Sequence, residues 1–271
     1  MKKVWLVMAV LCGMTAIAAA AGTATPTATK DLGITVDATY VSKYIWRGFD
    51  VLDDKSAWQP SIDFDFGNGF SANLWMSYAG SSGTTDTGLS RVNATQYNYT
   101  LAYSGTVYES CPWKTDYMLG WRYYDFIDTA TRDADLQEVF VTGEMPQLID
   151  GGIVPHFGVF QMWAAQGEGL NRDFSGTIYL MGFNYGFTLD QAPSLPLTFS
   201  WDIVYNDGTG STDDCDVDSD LSHMVWGLST AMTCPLTGAK VVPGIYFQNS
   251  FEDSVNTQDE LWGSLSYSFS F

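Results

Sequence analysis

From Phe70 onward apolar and polar residues alternate, with Phe70, Ala72, Leu74, Met76 and Tyr78 on one side and Ser71, Asn73, Trp75 and Ser77 on the other. Just upstream, Ile62, Phe64 and Phe66 interleave with Ser61, Asp63 and Asp65. A helix would spread such a series around its circumference, whereas a strand sorts it onto two faces. Gly67, Asn68 and Gly69 join the two runs with residues suited to a hairpin turn. The rhythm returns at Tyr97, Tyr99, Leu101 and Tyr103 against Gln96, Asn98 and Thr100, and at Tyr117, Leu119, Trp121 and Tyr123 against Asp116, Met118 and Arg122. Leu197, Phe199, Trp201, Ile203 and Tyr205 likewise oppose Thr198, Ser200, Asp202 and Asn206. The final run is the most regular: Leu261, Leu265, Tyr267, Phe269 and Phe271 against Ser264, Ser266, Ser268 and Ser270.

Cut at their breakers, these runs predict twelve strands near 32–46, 57–66, 70–79, 94–104, 113–125, 136–145, 153–165, 174–188, 197–206, 222–233, 240–250 and 260–271. The seventh and eleventh are the least secure, because Pro155 and Pro243 sit inside them and proline belongs at strand ends, edges or bulges. Short links (67–69, 189–196, 234–239) exchange with longer polar ones (80–93, 126–135, 207–221, 251–259). An even strand count with alternating turns and loops predicts an all-β, transmembrane, antiparallel up-and-down barrel of the outer-membrane type. A soluble sandwich turns its apolar face inward and carries fewer rings there, and lipocalin-type barrels stop at about eight strands. Tyr40, Tyr44, Trp46, Phe66, Phe70, Tyr78, Tyr103, Trp113 and Tyr123 fall near strand ends, where amphipathic rings suit the headgroup zone.

Composition agrees and adds a location. Of 271 residues, 46% are hydrophobic and 15% aromatic, too many for a disordered acidic chain. Thirty-one acids against twelve bases, a formal charge of −19, exclude a nucleic-acid partner, which requires a basic face. Lys2 and Lys3, the uncharged run Val4–Ile17 and the exit Ala18–Ala21 read as a cleaved signal peptide over 1–21. A spanning helix would not end in such an alanine-rich exit, and Leu11 before Cys12 is too large for lipoprotein processing. A flexible segment, 22–31, then leads to a barrel over 32–271 in the outer membrane of a Gram-negative cell. Cleavage removes two lysines and no acid, taking the charge from −19 to −21. Of the remaining cysteines, Cys111 and Cys234 fall in turns on opposite sides of the predicted ring, and Cys215 lies in a loop. With strands about 4.8 Å apart and tilted by about 40°, the ring is on the order of 24 Å across. A disulfide needs Cα atoms within about 7 Å, so free thiols are predicted.

The ending Leu265-Ser-Tyr267-Ser-Phe269-Ser-Phe271 resembles the terminal signal of bacterial outer-membrane barrels, which implies that the barrel-assembly machinery reads Tyr267, Phe269 and Phe271. At the other end, Tyr40-Val-Ser-Lys-Tyr44-Ile-Trp46-Arg47-Gly48-Phe49 resembles the opening strand of the TorF-type porins, which carry an S-x-Y-x-[WF]-R-G stretch. Gln59-Pro60-Ser61-Ile62-Asp63-Phe64 and Gly69–Tyr78 resemble that family's second and third strands. The likeness covers residues 36–79 and the last strand, and it implies a small outer-membrane channel. The Cys-Pro pairs at 111–112 and 234–235 depart from it.

If the apolar set faces lipid, the lumen is written by Ser71, Asn73, Ser77, Gln96, Asn98, Thr100, Asn184, Thr198, Ser200, Asn206 and the terminal serines. Charges punctuate this wall: Asp63, Asp65, Asp116, Glu138, Glu144 and Asp202 against Lys43, Arg47 and Arg122, the lumen and constriction candidates. Surplus carboxylates favour cations and neutral polar solutes, and disfavour acidic sugars. The expected function is passive diffusion of small polar or cationic solutes. The alternative is a non-conducting barrel with a structural or surface-interaction role, its charges paired inside. Arg47 has a structural reading as the partner of Asp63 or Asp65, and a functional one as a constriction cation.

Other chemistry is sparse. Asp214, Asp216, Asp218 and Asp220 could collect a divalent ion, but from Asp214 the sixth position is Ser219 and the twelfth Val225, so the EF-hand pattern fails. A solvated acidic loop is the simpler reading, and no cofactor is expected. Neither His156 nor His223 starts the H-x-S pattern of barrel phospholipases. Ser222 precedes His223, but neighbours in a strand point to opposite faces, so no enzyme is expected. Lipid, the assembly machinery and small polar solutes are the expected partners. Homo-oligomer interfaces on lipid-facing strands have the composition of lipid contacts, so the subunit number stays open.

Overall fold

The computed structural model describes residues 32–80, 95–128, 134–166, 174–211 and 216–271. The expected signal peptide and the 22–31 segment, with Cys12, Asp213, Asp214 and Cys215, lie outside the described residues. The chain runs through β1 (Gly33–Val41), β2 (Ile45–Trp46), β3 (Phe49–Asp50), β4 (Ala57–Gly67), β5 (Phe70–Ala79), β6 (Gln96–Val107), β7 (Thr115–Phe126) and β8 (Leu136–Glu144). It continues through β9 (Ile153–Ala164), β10 (Gly176–Leu189), β11 (Ala192–Asp207), β12 (Ser219–Thr230), β13 (Met232–Thr233), β14 (Lys240–Ser250) and β15 (Glu260–Ser270). Every pairing is antiparallel; the wall strands pair in chain order, with β1 joined to β4 and β12 to β14 past the short elements between them, and β1 bonds to β15. With β13 a two-residue addition beside β14 and β2–β3 a separate sheet, twelve strands close the ring.

The alternation read from the sequence is the alternation of the wall. Leu101, Phe70, Leu261 and Met181 are more than half exposed on the outside, while Asn73, Asn98, Thr100, Ser200 and Asn206 are buried inside. Apolar burial, usually a core between layers, is here an outer belt that needs lipid to cover it. Pro155 and Pro243 are accommodated near the periplasmic ends of β9 and β14, opposite Phe183 and Leu265. β11 and β12 begin at Ala192 and Ser219, earlier than the expected 197 and 222.

The first strand ends at Val41, and residues up to 46 are not its continuation. Period-two patterning persists through Tyr44 and Trp46 because that segment is also extended, but it runs in another direction. Cys111 and Cys234 are free, in the periplasmic turns after β6 and β13. Hydrogen bonds from the Thr237 hydroxyl and the Leu236 and Thr237 backbone hold the Cys234 thiol below its ordinary pKa.

Candidate functional site

Past Val41 the chain turns into the lumen as the β2–β3 hairpin. Ile45 and Trp46 pair with Asp50 and Phe49, and Arg47 (φ 49°) and Gly48 (φ 97°) form the two-residue link. Positive φ at both central positions is the primed turn that suits strand twist, and glycine takes it without cost. A β-carbon at Gly48 would also lie 2.6 Å from His223 Nδ1 and 2.7 Å from Val255, so only glycine lets the tip seat.

The hairpin spans the barrel from wall to wall. Near its base, the Tyr44 ring lies 5.9 Å from Trp75, and its hydroxyl donates to Gln96 Oε1 at 3.2 Å. Trp46 meets Tyr124 edge-on at 5.9 Å. Arg47 forms an ion pair with Glu138, donates to Met162 Sδ at 3.0 Å and stands 4.2 Å from the Phe160 ring. On the far side the Gly48 carbonyl accepts hydrogen bonds from Gln248 (2.8 Å) and Asn256 (3.2 Å).

Glu138, fully buried, is the hub of this layer. It pairs with Arg47 and with Arg122 at 3.5 Å, and accepts the Tyr124 hydroxyl at 2.9 Å. Arg122 also donates to Thr100 Oγ1 at 3.1 Å. Two guanidiniums on one carboxylate leave the layer with a formal charge of +1, taken out of water. Around the ring at this height Gln59, Ser77, Gln96, Asn98, Asn206 and Gln248 are all buried. At this height the hairpin and the polar side chains of the wall are packed together out of solvent.

Lys43 sits above this layer, paired with Asp54 and with Glu260 (2.8 Å). Hydrogen bonds to Asp54 first and Glu260 second hold its ammonium well above its ordinary pKa. The carboxylates of Asp50, Asp54 and Glu260 approach within 4.8 Å of one another, as metal ligands would, but Lys43 already serves two of them as counter-ion.

Below the hairpin the inward residues change character. Asp63 accepts from Asn73 (2.8 Å), Asp37 from Thr39 (2.6 Å) and from Ser266, and Asp116 from Thr106 (2.6 Å) while pairing with Lys114 (3.2 Å). Asp65 is exposed at the periplasmic end and accepts the Gly67 N–H at 2.7 Å. One rung of the ladder joins five strands: Asp116 is opposite Glu144, Glu144 opposite His156, His156 opposite Gly182 and Gly182 opposite Asp202. His156 Nε2 lies 2.5 Å from Asp202 Oδ1, and Asn184 Nδ2 lies 3.3 Å from His156 Nδ1. A β-carbon at Gly182 would be 2.3 Å from Asp202 Oδ1 and 2.7 Å from His156 Nε2. That glycine opens the passage through which the imidazole crosses an intervening strand.

The predicted residues thus fall into three levels: Lys43 at the top, Arg47, Arg122 and Glu138 at the hairpin, and Asp63, Asp65, Asp116, Glu144 and Asp202 beneath. The partner of Arg47 is Glu138, neither Asp63 nor Asp65, which lie toward the opposite end of β4 from the hairpin. The hairpin carries Arg47 across the lumen to β8, a placement strand order alone does not give. Ser222 and His223 also correct the opposite-faces expectation. A bulge places Val204 opposite His223 and Tyr205 opposite Leu221, leaving Ser222 as the extra residue. Both side chains are buried, with Oγ 2.8 Å from Nδ1. Ser222 donates its proton to the Val204 carbonyl (3.2 Å), so the ring donates to Oγ and does not activate it as a nucleophile. Of the loop carboxylates, Asp216, Asp218 and Asp220 are exposed. Sequence reasoning missed Gly48 as the hairpin's turn, Gln248 as the partner of its carbonyl and Glu260 as the partner of Lys43. The available signal was the Arg47-Gly48 dipeptide between two aromatic residues, a primed-turn pattern.

Among solved structures the chain is similar in fold to a KdgM porin (TM-score 0.51, 13% identity, covering 87% of this chain and 99% of that one). It is similar also to a KdgM porin in complex with disordered oligogalacturonate (0.52, 10% identity, 88% and 99%) and to a NanC porin (0.52, 6% identity, 87% and 98%). No protein-family model and no curated protein sequence matches the chain. At these identities the likeness is one of fold, the twelve-stranded barrel of outer-membrane porins.

Proposed function

We propose that the chain is a porin-like channel of the Gram-negative outer membrane for small polar and cationic solutes, with the β2–β3 hairpin as its constriction and gate. The carrying observation is the lumen below the hairpin. Its wall presents Asp37, Asp63, Asp65, Asp116, Glu144 and Asp202, six acids against Lys114 beside Asp116, Lys240 facing Asp37 and His156 bonded to Asp202. A wettable wall with surplus negative charge raises the local concentration of cations and repels anions. The KdgM complex carries oligogalacturonate, a polyanion, and the acids of this chain argue for a different solute.

The hairpin suits a gate better than a permanent plug. A buried ion pair is commonly no more stabilising than well-packed apolar residues, because desolvation offsets its attraction. Swung outward, Arg47 regains water. A non-conducting barrel is the second reading, favoured by the burial of inward side chains at hairpin height. The TorF-type resemblance supports a small porin, and the terminal Tyr267, Phe269 and Phe271 support handling by the assembly machinery. The buried, non-activated Ser222 supports the absence of catalysis.

Planar-bilayer recording of the purified barrel tests the proposal. The expectation is small, intermittent current with potassium preferred over chloride. Silence of both the native protein and a variant lacking the hairpin, with both verifiably folded, leaves only the structural reading.

A further inference from the structure

We propose that the slot filled by Arg47 on the β8–β9 wall is a binding site for the guanidinium group of a solute, with the hairpin as its built-in occupant. That a solute reaches the slot rests on the channel reading; the slot itself rests on the wall. Glu138 is directly opposite Met162 in the ladder, and one inward rung further along Phe140 is opposite Phe160. All four side chains are buried. The Arg47 guanidinium lies over the Phe160 ring at 4.2 Å, pairs with Glu138 through Nη2 and donates from Nη1 to Met162 Sδ at 3.0 Å. Its plane is thus met on the face by a ring and along the edge by a carboxylate and a sulfur. These contacts all come from β8 and β9, so the slot stays in the wall when the hairpin leaves, and the hairpin supplies only what fills it.

The same wall holds a second guanidinium in the same way. Arg122 pairs with Glu138 at 3.5 Å, and its guanidinium carbon stands 5.2 Å from the Phe140 ring. Glu138 divides its oxygens between them: Oε1 faces Arg122, while Oε2 takes Arg47 and the Tyr124 hydroxyl. With Arg47 gone, Arg122 and Glu138 remain as a pair of zero net charge, so the departure strands no ion. An entering guanidinium restores the +1 that the layer carries with the hairpin seated. An ammonium brings the same charge but neither a plane to lie on Phe160 nor a fork of donors for Glu138 and Met162 together, so the slot selects guanidinium over ammonium. A short tether holds Arg47 at an effective concentration on the order of millimolar. A free guanidinium solute therefore displaces it only as it approaches that level, and such loose binding lets the solute leave again, as passage requires. No covalent step is involved.

The test is calorimetric titration of the folded barrel in detergent micelles with ethylguanidinium, the part of the side chain that Arg47→Ala removes, and with butylammonium as the control of equal charge. Arg47→Ala keeps the Arg122–Glu138 pair. This variant is expected to bind ethylguanidinium at least fivefold more tightly than butylammonium, and at least tenfold more tightly than the native barrel, whose slot is filled, binds it. Adding Phe160→Leu, which leaves every charge in place, cuts the preference to below twofold, and adding Glu138→Gln abolishes it. Adding Asp220→Asn in the exposed loop retains it. Should the Glu138 variant fail to fold, Phe160→Leu decides by itself. Equal binding of the two cations by the Arg47→Ala barrel overturns the proposal. So does ethylguanidinium binding that is as tight in the native barrel, or a preference that survives Phe160→Leu. Micelle binding does not require conduction. A barrel silent in bilayers that still shows the preference supports the slot while refuting the channel, and a conducting barrel without the preference does the reverse.

Discussion

The two halves of the lumen are built from the same strands and solve opposite problems. The outer half takes in a folded-in hairpin, and its charges, Arg47 and Arg122 on the one Glu138 carboxylate, are desolvated and held together. Among the described residues no such insertion enters the inner half, where acids meet neutral donors or a histidine, Asp63 with Asn73 and Asp202 with His156. Within one barrel, then, opposite charges meet each other where the hairpin fills the lumen, and acids meet mostly neutral partners below it. On the proposed reading, the outer half decides whether a solute passes and the inner half decides which.

That contrast can be broken most forcefully by replacing Ile45–Asp50 with a short Gly/Ser link. Single-channel current should rise at least tenfold, and an unchanged current would mean that the hairpin is not the constriction. Next, Glu138→Ala strands two guanidiniums inside the closed state, a loss of about 3–5 kcal/mol for a broken buried pair. Arg47 escapes by leaving with the hairpin, so the open fraction in bilayer recordings should climb by about two orders of magnitude. Gly48→Ala adds a methyl 2.6 Å from His223 at a φ of 97°. Partial unseating, read as a several-fold longer open time, is the expected outcome. Asp63→Asn sharpens the comparison from the other side. Removing one of several vestibule acids should lower the potassium-to-chloride permeability ratio by less than twofold, measured as a reversal-potential shift, while leaving open probability unchanged.

The legibility of the molecule divides along the same line. Lipid outside and water inside force strict alternation, so each strand carries its own assignment in its residues. Phe70 through Tyr78 or Leu261 through Phe271 could be placed without knowing any neighbour. The acids of the inner half were equally readable as lumen residues, because parity alone turns Asp63, Asp116, Glu144 and Asp202 inward. The outer half was not. Tyr40 through Trp46 keeps the period of a strand after the chain has left the wall, so the pattern does not mark where β1 ends. Ser222 breaks parity through a bulge that only its pairing with β11 reveals.

By itself, then, the sequence determined an all-β barrel of twelve strands and which faces meet lipid and which meet water, since each follows from local alternation. Only the tertiary structure decided that Arg47 crosses to Glu138, that His156 reaches Asp202 over Gly182, and that a hairpin folds into the outer lumen. Those facts depend on which distant strands face one another around a ring and on how far a loop folds into it. Such separations are set by closure of the whole barrel, and no stretch of the chain carries them alone.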